Sequence, residues 1–305
     1  MAVNQQPRLS RDRPFLVELF VVSNLAFLIL DIYVAHSVNA FHHWAEWIPF
    51  YYAIAGVVIL LGSLIWSTRF REGTAHFDKG WGRRLGFIVA WSAIVVGIGG
   101  LVLHLESQFF QALTLRTLVY SAPFVAPLSF AGLGFLLLLN RMVPRGSMDW
   151  GKWVIFLALG GFLGNFMLSL ADHAQNGFFY LTEWIPVVVS AVAVGYLLTI
   201  IVGPVRVSFL NLGFAILALQ MLTGLLGFYF HIAPVWEGSA ADLRDSIIYG
   251  APVFAPLLFA DLAVLAAIGL WDVRAKMLVH VMGNMPEMSS SYLPTGSAEL
   301  GSLDH

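Results

Sequence analysis

Eight apolar stretches of this chain, 14–36, 49–67, 85–105, 118–140, 152–172, 185–203, 207–231 and 250–272, are each of a length that can cross a bilayer. Crossing the roughly 30 Å hydrocarbon core takes about 20 helical residues. Hydrocarbon offers no water to an open backbone N–H or C=O, so such stretches must satisfy their own hydrogen bonds as helices. With 59% hydrophobic and only 11% charged residues among 305, the chain has too little charge to cover a soluble domain of this size. The expected fold is an all-α, polytopic membrane protein. It forms one eight-helix membrane domain over residues 1–276, followed by a flexible cytoplasmic tail over 277–305, rich in Ser, Gly and Met.

Lys and Arg near the ends of spans are retained on the cytoplasmic side. All of them except Arg116 and Arg244 flank one set of span ends, while Glu46, Glu106, Asp172, Glu183, Glu237, Asp242 and Asp245 flank the other. Both termini are therefore expected in the cytoplasm of a cell with an inner or plasma membrane, and the acidic loops outside. The first span is too long for a signal peptide's apolar core and is read as a retained helix. A net charge of −2 with no basic patch gives nucleic acid no footing. The absence of cysteine excludes disulfides, thiolate metal sites, iron–sulfur clusters and covalent haem attachment.

The second half of the chain repeats the first. His36, Asn39, Phe41, Glu46, Trp47, Ile48 and Pro49 recur 137 positions later as His173, Asn176, Phe178, Glu183, Trp184, Ile185 and Pro186. Tyr120, Ala122, Pro123, Ala126, Pro127, Leu128 and Phe130 recur 129 positions later as Tyr249, Ala251, Pro252, Ala255, Pro256, Leu257 and Phe259, and His104 matches His231. Repeat 1 covers 14–140 and repeat 2 covers 152–272. An even number of spans per repeat gives both the same orientation, so the repeats are parallel and related by an axis along the membrane normal. The prolines mark helix starts, with Pro127 and Pro256 one turn further in as kinks. Gly99, Gly100, Gly224 and Gly227 point to close helix packing.

The repeat also marks a candidate site. His36, His104, His173 and His231 fall at the outer ends of the first, third, fifth and seventh spans, with Glu46 and Glu183 just before the second and sixth. Neutral imidazole is the commonest metal ligand, and carboxylates can bridge two cations while reducing the net charge near hydrocarbon. Six such groups related by a two-fold axis predict a dinuclear centre of iron, manganese, copper or zinc open to the outside. Asn39, Asn176, Asp172 and Glu106 are expected to hydrogen-bond the second imidazole nitrogens. Tyr120 and Tyr249 are the candidate catalytic relays. Asp261, well inside the eighth span, breaks the symmetry and is expected to pair with Gln220 or to begin a proton path. The competing explanations are structural: imidazoles resting at helix C-termini, carboxylates at helix N-termini and tyrosines in an aromatic belt.

These residues predict a membrane metalloprotein that performs redox chemistry on a small or lipid-soluble substrate, partnered by the bilayer and by an electron donor or other membrane subunits. A haem b electron carrier, with His36/His104 and His173/His231 as axial pairs, explains the histidines but not the glutamates. A cation transporter and a structural subunit are the further alternatives.

Overall fold

The computed structural model describes residues 9–69, 80–237 and 243–283, and among them all regular structure is helical. The helices are α1 (Leu9–Ser37), α2 (Trp47–Arg69), α3 (Gly80–Glu106), α4 (Phe109–Ala112), α5 (Leu115–Val119), α6 (Leu128–Met142), α7 (Met148–Gln175), α8 (Trp184–Val202), α9 (Val207–Glu237), α10 (Leu243–Tyr249) and α11 (Leu257–Gly283). Six of them, α1, α2, α3, α7, α8 and α9, are long and apolar enough to cross a membrane. The other two of the eight apolar stretches behave differently. At 15 residues α6 is about 22 Å long, short of the hydrocarbon core. α11 has the length, but it carries Asp261, Asp272, Arg274 and Lys276.

Helix boundaries depart from the sequence reading in two places. Residues 120–127 and 250–256 form turns, so α6 and α11 start at Leu128 and Leu257, after Pro127 and Pro256 rather than around them. Two prolines one turn apart remove two N–H donors, and each disfavours helical geometry in the residue before it. The stretch expected to be tail begins as helix instead, since α11 runs on to Gly283. Residues 284–305 lie outside the described residues. Pro49 and Pro186 sit in the first turns of α2 and α8, as expected.

Among the described residues, eight of the helices form two four-helix rings. α1 packs on α2, α2 on α3, α3 on α6 and α6 back on α1, while α7, α8, α9 and α11 close a second ring in the same order. The rings meet where α6 packs on α7 and α1 on α11, with α5 laid against α7 and α10 against α1. Leu25, Leu60, Leu136 and Leu137 are buried in the first ring, and Ile155, Phe162, Leu197 and Leu270 in the second. Large apolar side chains such as Val58, Ile65, Val95, Val188 and Leu222 face outward, which suits lipid and would be a liability in water.

Glycines set the closest helix crossings. A Cβ on Gly97 would stand 2.6 Å from the Ala131 nitrogen and 2.9 Å from the Pro127 oxygen, and one on Gly224 would stand 3.0 Å from the Ala260 nitrogen and 2.8 Å from the Pro256 oxygen. Gly100 and Gly227 press on the rings of Pro127 and Pro256, whereas Gly99 faces open space and has no such role. Backbone lines both contacts at Gly97 and cannot rotate away. Gly97→Val should therefore push α3 from α6 and cost about 1–3 kcal/mol or more, read as a lower thermal midpoint in detergent. Gly99→Val should leave that midpoint nearly unchanged.

At the end of the bundle away from the histidines, buried charges pin the rings together. Arg13 on α1 pairs with Asp272 on α11, which also accepts from Lys276 at 2.6 Å. Lys276 donates to the Arg145 and Ser147 carbonyls, tying α11 to the α6–α7 turn. Within the first ring Glu18 pairs with Arg141 and accepts from Asn140 at 3.0 Å. Glu18 thus belongs to an ion pair as well as to a hydrogen bond with Asn140.

Candidate metal centre

Each histidine of the repeat stands on the last turns of a long helix: His36 on α1, His104 on α3, His173 on α7 and His231 one and a half turns before the end of α9. In each ring the two histidine-bearing helices lie opposite each other, because α1 and α3 are separated by α2 and α6, and α7 and α9 by α8 and α11. The imidazoles of His36 and His104 face across the first ring with centres 6.1 Å apart and planes at 82°. His173 and His231 stand on the opposite helices α7 and α9 of the second ring.

The glutamates are delivered by a tight turn. After α1 the chain reverses through Ala40 and Phe41, both with left-handed backbone (φ 55° and 53°), and after α7 through Gly177 and Phe178 (φ 72° and 54°). A phenylalanine rarely holds such a φ, so something must fix it. Here the Phe41 N–H donates to the His36 carbonyl at 3.1 Å and the ring stacks on Trp47 at 4.2 Å. The Phe178 N–H donates to the His173 carbonyl at 3.0 Å, and its ring stacks on Trp184 at 4.0 Å. One short 3-10 turn follows in each half, Trp44–Glu46 and Leu181–Glu183, ending on the carboxylate.

The resulting geometry is the same twice. Glu46 Oε2 lies 4.0 Å from His36 Nδ1, and Glu183 Oε2 lies 3.7 Å from His173 Nδ1. The second oxygen of each carboxylate is held by an asparagine: Asn39 Nδ2 donates to Glu46 Oε1 at 2.8 Å and Asn176 Nδ2 to Glu183 Oε1 at 3.3 Å. Asn39 and Asn176 therefore orient the glutamates, not the imidazoles as the sequence suggested. The imidazoles across the rings are held by backbone instead. His104 Nδ1 lies 2.9 Å from the Pro123 carbonyl and His231 Nδ1 2.8 Å from the Pro252 carbonyl, contacts that require Nδ1–H to donate and leave Nε2 with a free lone pair.

Both inner carboxylate oxygens, Glu46 Oε2 and Glu183 Oε2, are buried without a hydrogen-bond partner. A buried carboxylate oxygen without a donor or cation is costly. The six expected ligands thus fall into two sets of three, His36–Glu46–His104 and His173–Glu183–His231, and no contact among the described residues joins the sets. Nor, among those residues, does any group of three or more His, Asp or Glu stand in ready metal-binding geometry.

The remaining candidates lie apart. Tyr120 and Tyr249 are exposed, Glu106 is exposed at the end of α3, and Asp172 is half-buried beside His173 in the chain. Among the described residues no hydrogen bond links these four to either set. Asp261 accepts from Asn24 Nδ2 of α1 at 2.9 Å, while Gln220 donates to the Val189 carbonyl, so the expected Asp261–Gln220 pair does not form. Sequence reasoning missed the roles of Phe41, Phe178 and the Pro123 and Pro252 carbonyls; their recurrence in the repeat was the available signal. Compared with family models, curated proteins and solved structures, the chain matches none.

Proposed function

We propose that this chain is an integral membrane metalloprotein of eight spans, built as two parallel four-helix repeats, with one His–His–Glu metal centre at the exported end of each. The reading rests above all on the paired, buried and unpartnered oxygens of Glu46 and Glu183, each turned toward a histidine. Two ligand atoms bound to one zinc-sized ion at about 2.0–2.2 Å can lie no more than roughly 4.2 Å apart. The 4.0 and 3.7 Å separations leave room for one ion between each pair. His36 Nδ1, Glu46 Oε2 and His104 Nε2 would hold one ion and His173 Nδ1, Glu183 Oε2 and His231 Nε2 the other, with asparagine and proline carbonyl as the outer supports such sites use. Two separate centres thus replace the single dinuclear one expected from the sequence.

Three ligands without thiolate leave positions open and suit iron, manganese, copper or zinc. The chemistry we propose is redox conversion of a small or lipid-soluble substrate reaching the site from the membrane or the outer face. Tyr120 and Tyr249 each stand three residues before the proline whose carbonyl holds a site histidine, and they are the proposed relays of protons or electrons.

One observation favours haem b as a second reading. Two imidazoles trans across one metal at about 2.0–2.1 Å place their ring centres roughly 6.4 Å apart, against about 4.5–5 Å when cis. The 6.1 Å between the His36 and His104 rings, with nearly perpendicular planes, is closer to the first. Haem leaves the inner oxygens of Glu46 and Glu183, which have no hydrogen-bond partner, without a role.

Protein purified in detergent without chelator should contain about two equivalents of transition metal and show no Soret band, and the His36→Ala, His173→Ala double variant should have lost the metal. A Soret band in the wild type transfers the proposal to haem. Absence of both metal and haem would leave the transporter or structural readings.

A further inference from the structure

The two bundles differ beneath their matching sites. In the second, Ser190 lies about two helical turns below Glu183 on α8, and Thr223 and Gln220 lie about two and three turns below His231 on α9. Ser190 and Gln220 are 0% exposed and Thr223 8%. Their counterparts in the first bundle, by the offsets of the repeat, are Ala53, Val96 and Ala93, all apolar.

Hydrogen bonding sharpens the contrast. In the first bundle α2 is joined to α3 by Tyr52, whose hydroxyl donates to the Val89 carbonyl at 2.6 Å and whose ring packs on Phe130. In the second, Val189 occupies the place of Tyr52, and the link runs the other way: Gln220 Nε2 donates to the Val189 carbonyl at 2.7 Å. Gln220 Oε1 is then buried without a partner. The Ser190 hydroxyl is within hydrogen-bond distance of the Pro186 and Val187 carbonyls, and the Thr223 hydroxyl donates to the Leu219 carbonyl, so both oxygens keep lone pairs to accept with. One bundle core thus holds three acceptors, one of them wholly unsatisfied. Buried water takes such a place, given two or more polar partners.

We propose that the second bundle holds ordered water among Gln220, Ser190 and Thr223, forming a proton connection to the His173–Glu183–His231 centre that the His36–Glu46–His104 centre lacks. Building on the two-centre reading, this makes the centres unequal: the second is supplied with protons from within, whereas in the first bundle the Tyr52 and Ser92 hydroxyls are bonded to the Val89 and Ile88 carbonyls. Proton-coupled chemistry belongs to the second centre.

The absence of cysteine allows a direct test. Thr223→Cys, Ser190→Cys and their counterparts Val96→Cys and Ala53→Cys, each in nanodiscs, would be exposed to a small hydrophilic methanethiosulfonate. Because the thiolate is the reactive form and needs water to ionise, residues 223 and 190 should label about tenfold faster or more than 96 and 53. Adding Gln220→Leu should bring Thr223→Cys down to the Val96→Cys rate. A ratio under tenfold, or indifference to Gln220→Leu, would overturn the water connection. Metal content measured on the same samples separates the two claims: metal-free protein that still shows the labelling contrast sinks the metal centres and keeps the water.

Discussion

Replacing Glu18 by Ala should cost about 3–5 kcal/mol of stability, measured by denaturant unfolding in detergent with helicity as the readout. Both side chains of the Glu18–Arg141 pair are 1% exposed, and Glu18 also accepts from Asn140, which donates to the Pro14 carbonyl as well. Truncation removes one of the groups that compensate the guanidinium in a low-dielectric interior, so the loss reflects that weakened compensation more than the pair's own worth. Replacing both members, Glu18→Leu with Arg141→Met, should recover most of it for the same reason. A single variant within about 1 kcal/mol of wild type would mean that Arg141 is compensated without Glu18.

Removing both histidines of one bundle, His36→Ala with His104→Ala, should lower bound metal from about two equivalents to about one. The matching pair His173→Ala with His231→Ala should do likewise, and all four together should abolish binding. Independence follows from the division of the ligands into two sets. A single shared dinuclear centre would instead lose both ions when either pair is removed, and that outcome would restore the arrangement expected from the sequence. Asn39→Ala should weaken the first site by about 10–100-fold while keeping its stoichiometry, as outer partners of metal ligands generally do. Glu46→Gln, which removes a ligand charge, should weaken it more.

Much of this was legible from residue order. Apolar runs identify helices because hydrocarbon admits few other backbones, and the recurrence of His36, Asn39, Phe41 and Glu46 as His173, Asn176, Phe178 and Glu183 marks a shared turn, which both copies close in the same way. The starts of α6 and α11 were misjudged because hydropathy cannot distinguish an apolar turn from an apolar helix, and Pro123–Pro127 and Pro252–Pro256 decide that locally. Partners were harder still. Asp261 meets Asn24 from 237 positions away and Arg13 meets Asp272 from 259, distances across which no spacing rule operates.

By itself the sequence determined that the chain is helical and apolar enough for a bilayer, and that four histidines and two glutamates recur in matching places. Those properties follow from local chemistry and periodicity. Only the tertiary structure decided which of them meet. Two closed four-helix rings place His104 across from His36 and divide six candidate ligands into two sets of three. The structure also turned Asn39 and Asn176 onto the carboxylates and gave His104 and His231 to proline carbonyls. A residue's type fixes what bonds it can make, but helix packing fixes which partner stands within about 3 Å to make them.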